Sequence, residues 1–399
     1  MKIVLAFFYH LRQTGGVEHV LANFANSMNK RGHEVTILYA SPTHDTPSFR
    51  INKDVKLVNL MKDECFPDSK KEFNKSIPIP QRLIRKILSK IKPSYAKEWN
   101  FFCMNRISSD SIRHSISRIN PDVIVTFNTF TNALVKKNIK GIPVIVMFHI
   151  MPDVEIENYA SKYEREILSE NAAIQVLLKH NVPYIKKISP DANVKVIPNA
   201  VTQTNAHIDY RKEKEIYHIL EVARLHRLDK RQHILIEAFS KLAKSYPNWH
   251  LDFWGKEDSN GYYEELKALI KNKGLEDQVF LHGATNKINK IYLSSDIFCF
   301  PSLKEGFGMA MAEAMSFGLP VIAMKDCVAT QEIFSGQECG ILVDNNIDDI
   351  AFALRKMMDN PDLREKYGKT SSRMIKNYAP EIVWSKWESL LKDVIYNKE

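Results

Sequence analysis

Residues 3–39 read IVLAFFYHLRQTGGVEHVLANFANSMNKRGHEVTILY. Ile3–Phe8 is an apolar run of strand length, closed by the polar loop His10–Gly16. Val20, Leu21, Phe24, Ala25 and Met28 then recur at helical spacing and give one apolar face. Lys30, Arg31 and Gly32 close that helix, the cations suiting its negative end and the glycine its stop. Val35–Tyr39 is the next buried run. Strand, loop, helix and strand in about 40 residues form the βαβ unit of a parallel sheet.

The same rhythm continues outward. Val123–Phe127, Val144–Phe148, Ala173–Leu177 and Val194–Ile197 read as further strands of a first half, and Pro198-Asn199 breaks the pattern. Residues 202–215, TQTNAHIDYRKEKE, carry few large apolar side chains and read as a linker. Ile216–Val222, His250–Trp254, Val279–Leu281, Ile297–Phe300 and Val321–Ala323 are strands of a second half. Helices are expected at Ile234–Leu242, Tyr262–Lys273, Gly308–Phe317, 347–358 and 361–376, with a last one at Pro380–Tyr396. The fold class is therefore α/β: two doubly wound, Rossmann-like parallel-sheet domains facing a cleft. The expected division is 1–201 with 381–399, the linker 202–215, and 216–380.

The 399 residues are 44% hydrophobic and 26% charged, which excludes a collagenous or wholly disordered chain. The net charge of +9 is uneven. Residues 70–98 hold nine Lys and Arg against Glu72 and Glu98, and so seven of the nine excess charges. One basic patch, rather than a general nucleic-acid binder, is the reading. The five cysteines include no C-x-x-C pair, so neither a disulfide framework nor a zinc site is expected, and the compartment reads as cytoplasmic. No run approaches the roughly 20 apolar residues of a membrane span.

The chemistry concentrates in residues 301–344, PSLKEGFGMAMAEAMSFGLPVIAMKDCVATQEIFSGQECGILVD. The loop Glu305-Gly306-Phe307-Gly308 leads into a helix starting at about Gly308. Free N–H groups and the helix dipole suit an anion there, and the glycines let a ligand approach the backbone. Glu313 is a lone carboxylate in an otherwise small, apolar helix. Burying it costs several kcal/mol on the order of magnitude for ions, so it needs a dedicated donor. A vicinal diol such as a ribose supplies one. The two acids then bracket a ligand, with Glu313 on the nucleoside and Glu305 on a sugar. The plain structural reading pairs Glu313 with a cation and leaves Glu305 solvated. Arg224 and Lys230 follow the strand Ile216–Val222, where fixed cations would stabilise a departing diphosphate. His149 ends the strand Val144–Phe148 at the same kind of edge.

The pattern of Glu305 and Glu313 in EGFG…E…GLPVIA resembles the retaining nucleotide-sugar glycosyltransferase family 4, of GT-B architecture, including its bacterial surface-polysaccharide members. The likeness extends to Gly15-Gly16-Val17-Glu18, to Val196–Val201 (VIPNAV, with Ala200 where glycine is usual) and to Ala223-Arg224-Leu225 followed by Lys230. Arg231 stands where that family often has glycine, and it competes with Lys230 for the phosphate role. The resemblance implies Glu305 and His149 as catalytic residues. It implies donor binding by Gly15, Gly16, Asn199, Arg224, Lys230, His282, Gly306, Phe307, Gly308, Met309 and Glu313. His10 and His282 carry weaker support. It also implies a final helix that crosses back to the first domain.

The implied activity is a retaining, metal-independent hexosyltransferase. It would move sugar from a nucleotide sugar, UDP-linked by family frequency, to a glycan or polyprenyl-diphosphate-linked acceptor. No D-x-D occurs, so no metal or other cofactor is expected, with Arg224 and Lys230 serving instead. Leu83, Ile84, Ile87, Leu88 and Ile91 form an apolar stripe beside Arg82, Arg85, Lys86, Lys90 and Lys92. Such a helix at 81–92 could lie on the anionic inner face of the cell membrane or pack into the core. Tyr95, Trp99, Phe101 and Phe102 suit either place. The alternatives are a nucleotide-sugar epimerase of the same shape and a non-enzymatic nucleotide-binding scaffold. Nucleic acid is not an expected partner.

Overall fold

The computed structural model describes residues 1–8, 11, 15–41, 47–63, 84, 87, 90, 93–206, 208–257 and 261–396. The chain divides into two compact units, Met1–Asn199 with Val383–Glu399, and Ala200–Ile382.

The first unit runs β1 (Lys2–Phe7), α1 (Gly16–Lys30), β2 (Glu34–Tyr39), β3 (Lys56–Asn59), α2 (Pro93–Ile119), β4 (Val123–Thr126), α3 (Thr129–Asn138) and β5 (Val144–Met147). It continues through α4 (Pro152–Asn158), α5 (Lys162–Glu166), β6 (Ala173–Val176), α6 (Val182–Ile188) and β7 (Val194–Val196). The sheet order is β3-β2-β1-β4-β5-β6-β7, and its strand pairs are parallel. The inner strands β4, β5 and β6 are buried at every position, as continuous apolar runs covered on both faces must be. The stripe on α1 buries Val20, Leu21, Phe24, Ala25 and Met28, the residues its spacing singles out.

The second unit runs β8 (Tyr217–Val222), α7 (Gln232–Ser240), β9 (Trp249–Trp254), α8 (Tyr262–Asn272), β10 (Val279–Gly283), α9 (Ile288–Ser294), β11 (Ile297–Phe300), α10 (Met309–Ser316) and β12 (Val321–Met324). It closes with α11 (Val328–Phe334), β13 (Gly340–Val343), α12 (Ile347–Met358) and α13 (Pro361–Met374). Its order is β10-β9-β8-β11-β12-β13, again with parallel pairs. Residues 202–215 are tied to this unit. Tyr210 donates its hydroxyl to the Gly318 carbonyl, and Lys214 pairs with Asp296 at 2.7 Å.

The last helix, α14 (Pro380–Tyr396), packs its Val383–Val394 stretch into the first unit. Phe24 of α1 meets Trp387 edge-on at 4.8 Å and Trp384 at 5.5 Å. Arg31 adds a pair with Glu388 at 3.2 Å. The basic segment 81–92 lies outside the described residues except for Ile84, Ile87 and Lys90, and His10 lies outside them too. Ile84 and Ile87 are exposed, as are Tyr95, Trp99 and Phe102, whereas Phe101 is in the core. No helix among the described residues is long and apolar enough to cross a membrane.

Candidate functional site

In the second sheet the strand order turns at β8 and β11: one leads outward to β9, the other to β12. Loops leaving the carboxyl ends of two such strands part to opposite faces, and ligands bind in the crevice between them. Loop 223–231 carries Arg224 and Lys230, and loop 301–308 carries Glu305 and its glycines. The two loops meet. The Lys230 ammonium donates to Glu305 Oε1, with only 18% and 14% of the side chains exposed. Glu305 is therefore a paired acid rather than a solvated one. Arg224 donates to Asp229 Oδ2 at 3.0 Å and keeps 55% of its side chain exposed.

Arg231 turns elsewhere. Its Nη1 donates to the Pro301 carbonyl at 3.2 Å and its Nη2 to Asn345. Its φ of 61° is left-handed backbone, the conformation that favours glycine, at a cost of roughly 1–2 kcal/mol for other residues. Of the two candidates, Lys230 is the one that reaches Glu305.

Beneath the pair lies Glu221, on β8, a residue the sequence reasoning passed over. It is 2% exposed, and its Oε1 accepts from Gln232 Nε2 at 2.8 Å. Its Oε2 is buried with no hydrogen-bond partner among the described residues. Burial pushes its carboxyl well above the ordinary carboxylate range, with Lys230 opposing. Gln232 in turn donates to the Arg224 carbonyl at 3.3 Å and accepts from the His226 N–H at 3.3 Å. Glu221 thus holds Gln232, and Gln232 holds the loop. A lone acid in the apolar run of β8 was the available signal.

Gly308 is the N-cap of α10 with φ 82°, and a Cβ there would stand 3.1 Å from the Phe300 ring. Met309 opens the helix. Phe307 is 2% exposed and packs its ring on Tyr378 at 5.4 Å, so its side chain anchors the loop between the two glycines. Glu313 is half-buried on α10, and its donor is the Tyr292 hydroxyl, 3.1 Å from Oε2, rather than a cation. Burial raises the Glu313 carboxyl and the Tyr292 bond lowers it. His282 belongs to a separate set on β9 and β10. Its Nε2 lies 2.5 Å from Asp252 Oδ1, and its ring stacks on Trp254 at 4.3 Å. Asp252 also meets His218 Nδ1 at 2.7 Å and, with these two partners outweighing burial, is held down to about 2.

Gly15, Gly16, His149 and Asn199 belong to the first unit. Gly15 caps α1, and a Cβ there would stand 2.5 Å from Glu18 Oε2, so the glycine lets that carboxylate fold back onto the helix start. At Gly16 a Cβ would meet nothing within 4 Å. Asn199 is buried. His149 stacks on Phe127 at 5.0 Å, and both its ring nitrogens are buried without a partner among the described residues. Burial pushes it down to about 3, so the ring is a neutral hydrogen-bonding group.

A buried acid pair follows in sequence. Glu155 Oε1 accepts the Thr129 N–H at 2.8 Å, and the Thr129 hydroxyl donates to Glu164 Oε2 at 3.2 Å. Desolvation, with Glu164 adding to it, pushes Glu155 up to about 7.

Two family models match the chain: "Glycosyltransferase Family 4" over residues 14–204 and "Glycosyl transferases group 1" over 202–374. An uncharacterized glycosyltransferase of Haemophilus influenzae is 24% identical over 395 residues, covering 98% of this chain and 100% of its own. A poly(ribitol-phosphate) alpha-N-acetylglucosaminyltransferase of Staphylococcus aureus is 28% identical over 200 residues, covering 50% of this chain and 39% of its own. A crystallised mutant of TarM from S. aureus, in complex with fondaparinux, alpha-GlcNAc-glycerol and UDP, superposes with a TM-score of 0.72 at 15% identity. That superposition covers 98% of this chain and 99% of TarM.

Two parallel Rossmann-like sheets of this order form the GT-B architecture of sugar transferases. The chain belongs to the glycosyltransferases that these two models describe, family 4 in its first part and group 1 in its second.

Proposed function

We propose that this glycosyltransferase moves a hexosyl group from a UDP-sugar to a glycan or lipid-linked saccharide acceptor, with retention of configuration and without a metal ion. The pathway we infer is cell-surface polysaccharide synthesis. The observation that carries the reading is the meeting of Lys230 with Glu305 at the turning point of the second sheet. In this reading 216–380 takes the donor, and 1–201 with 381–399 takes the acceptor. The UDP complex of TarM and the poly(ribitol-phosphate) alpha-N-acetylglucosaminyltransferase relative support the donor and the pathway.

The diphosphate would lie against Arg224, Lys230 and the amides at Gly308 and Met309. Charge accumulates on it as the bond from the anomeric carbon to phosphate oxygen breaks, and that oxygen keeps the electron pair. Cations and amides already in place stabilise that charge more than they stabilise the ground state. The acceptor oxygen then bonds the same face of the sugar, and the departing phosphate takes its proton. Glu305, released from Lys230, accepts from the donor sugar's hydroxyls, and in the first unit neutral His149 serves as a hydrogen-bonding group. Glu313 accepts from the ribose. The absence of a D-x-D in the sequence supports charge stabilisation by the protein's own cations. Exposed Ile84, Ile87, Tyr95 and Trp99 beside the basic stretch support docking at the inner membrane face, where a polyprenyl-linked acceptor resides.

The test is thermal stability of the purified protein against UDP-, GDP- and ADP-sugars in EDTA. Binding to the folded state raises the melting temperature by mass action. We expect a rise with UDP-sugars that Arg224→Ala removes. No rise with any nucleotide sugar, or one abolished by EDTA, sinks the donor site as drawn. Proton NMR of the glycosidic product reads the anomer, and an inverted product rejects retention.

A further inference from the structure

Glu313 is held by a neutral donor. No cation pairs with it among the described residues, and the side-chain partner found there is the phenol of Tyr292. A guanidinium would engage both carboxylate oxygens and use up their acceptor capacity. A phenol has one hydrogen. It fixes one oxygen, Oε2, and leaves the charge and the second oxygen for a ligand.

Tyr292 is itself immobile. It is fully buried, its ring stacks on Phe317 at 5.2 Å with 26° between planes, and it touches Phe298 on another side. Its hydroxyl lies between two acceptors, Glu313 Oε2 at 3.1 Å and the Ala310 carbonyl at 3.3 Å. An ionised carboxylate is the stronger acceptor. The Ala310 carbonyl is one turn earlier on the same helix, so both contacts pin the phenol to α10 where Glu313 leaves it.

We propose that Tyr292 is the positioning residue that aims Glu313 at the ribose diol and so sets the enzyme's discrimination for ribonucleotides over their deoxy counterparts. This rests on the reading of Glu313 as the nucleoside-side acid. Tyr292 touches no substrate and acts through the carboxylate orientation. With the hydroxyl removed, Glu313 swings among rotamers, and the diol loses an acceptor preset to both its hydroxyls.

The probes are UDP, GDP, ADP and their 2′,3′-dideoxy forms, titrated calorimetrically into the full-length protein. For the base that binds, the wild type should prefer the ribo form by about 10- to 100-fold, the worth of hydrogen bonds to a charged group. In Tyr292→Phe that ratio should fall to within about threefold, with the dideoxy affinity unchanged. A purely structural tyrosine would lower both affinities, or the melting temperature, and leave the ratio intact. Should the phenylalanine variant not fold, Tyr292→Met removes the same hydroxyl.

Glu313→Ala separates the two ideas. If it abolishes the ratio while Tyr292→Phe preserves it, the proposal for Tyr292 is overturned and Glu313 keeps its role. If Glu313→Ala preserves the ratio, or no nucleotide binds the wild type, the reading of Glu313 falls and the proposal with it.

Discussion

Replacing Glu155 by Gln should remove a loss of stability that the wild-type chain suffers as pH rises. In the folded chain the carboxyl keeps its proton up to about pH 7, because burial and the nearby Glu164 disfavour the charge and outweigh the Thr129 hydrogen bonds that favour it. In the unfolded chain it ionises at its ordinary value of 4.5. Between those values the folded state binds more protons than the unfolded one, so stability falls with rising pH. The contribution is whole below 4.5 and gone above about 7. That interval, at about 1.4 kcal/mol per pH unit, is worth about 3 kcal/mol.

Glutamine keeps the uncharged shape, and its amide oxygen can accept the Thr129 N–H as Oε1 does. The assay is urea unfolding of both proteins in parallel from acid to mildly alkaline buffer. The other titrating groups act in both proteins and cancel in the difference. The two should be equally stable near pH 4.5, with the variant ahead by about 3 kcal/mol near pH 8. A difference that stays constant across the range refutes the argument, because no proton would then be retained on folding.

Lys230→Ala and Arg224→Ala should each lower kcat/KM by about 100-fold or more through lost charge stabilisation, measured by release of the nucleoside diphosphate. Trp387→Ala removes a side chain that is 1% exposed against Phe24 and should cost about 3–5 kcal/mol in urea unfolding of the first unit. Gly308→Val forces a β-branched residue into φ 82° and against the Phe300 ring, and calorimetry should show UDP binding lost while the fold remains.

The strands with continuous apolar runs were legible within a residue or two: Ile297–Phe300 was read at its observed bounds. The strands β3 and β13 were not, because each has four residues and partly exposed positions, so neither period nor burial marks them. Helix α2, 27 residues long, also escaped, its apolar side chains being scattered among serines and arginines rather than striped. In the candidate site, the sequence singled out motif residues on loops, because their chemistry is local. Tyr292 and Glu221 were not, since what matters is the atom each meets from another element. The sequence did predict that Glu313 needs a donor; only the packing of α9 on α10 says that the donor is a phenol.

The threading of α14 has a consequence for biosynthesis. The first unit places Val383–Val394 in its own core, against a helix that begins at Gly16. On the ribosome those partners are separated by the whole second unit and most of the first. At roughly 5–20 residues per second, on the order of ten seconds or more pass between them. The first domain to emerge is therefore the last to finish, and the side of Phe24 that Trp384 and Trp387 cover waits exposed while the second domain forms. The nascent chain presents that apolar surface at this stage, where a holdase chaperone would have something to bind.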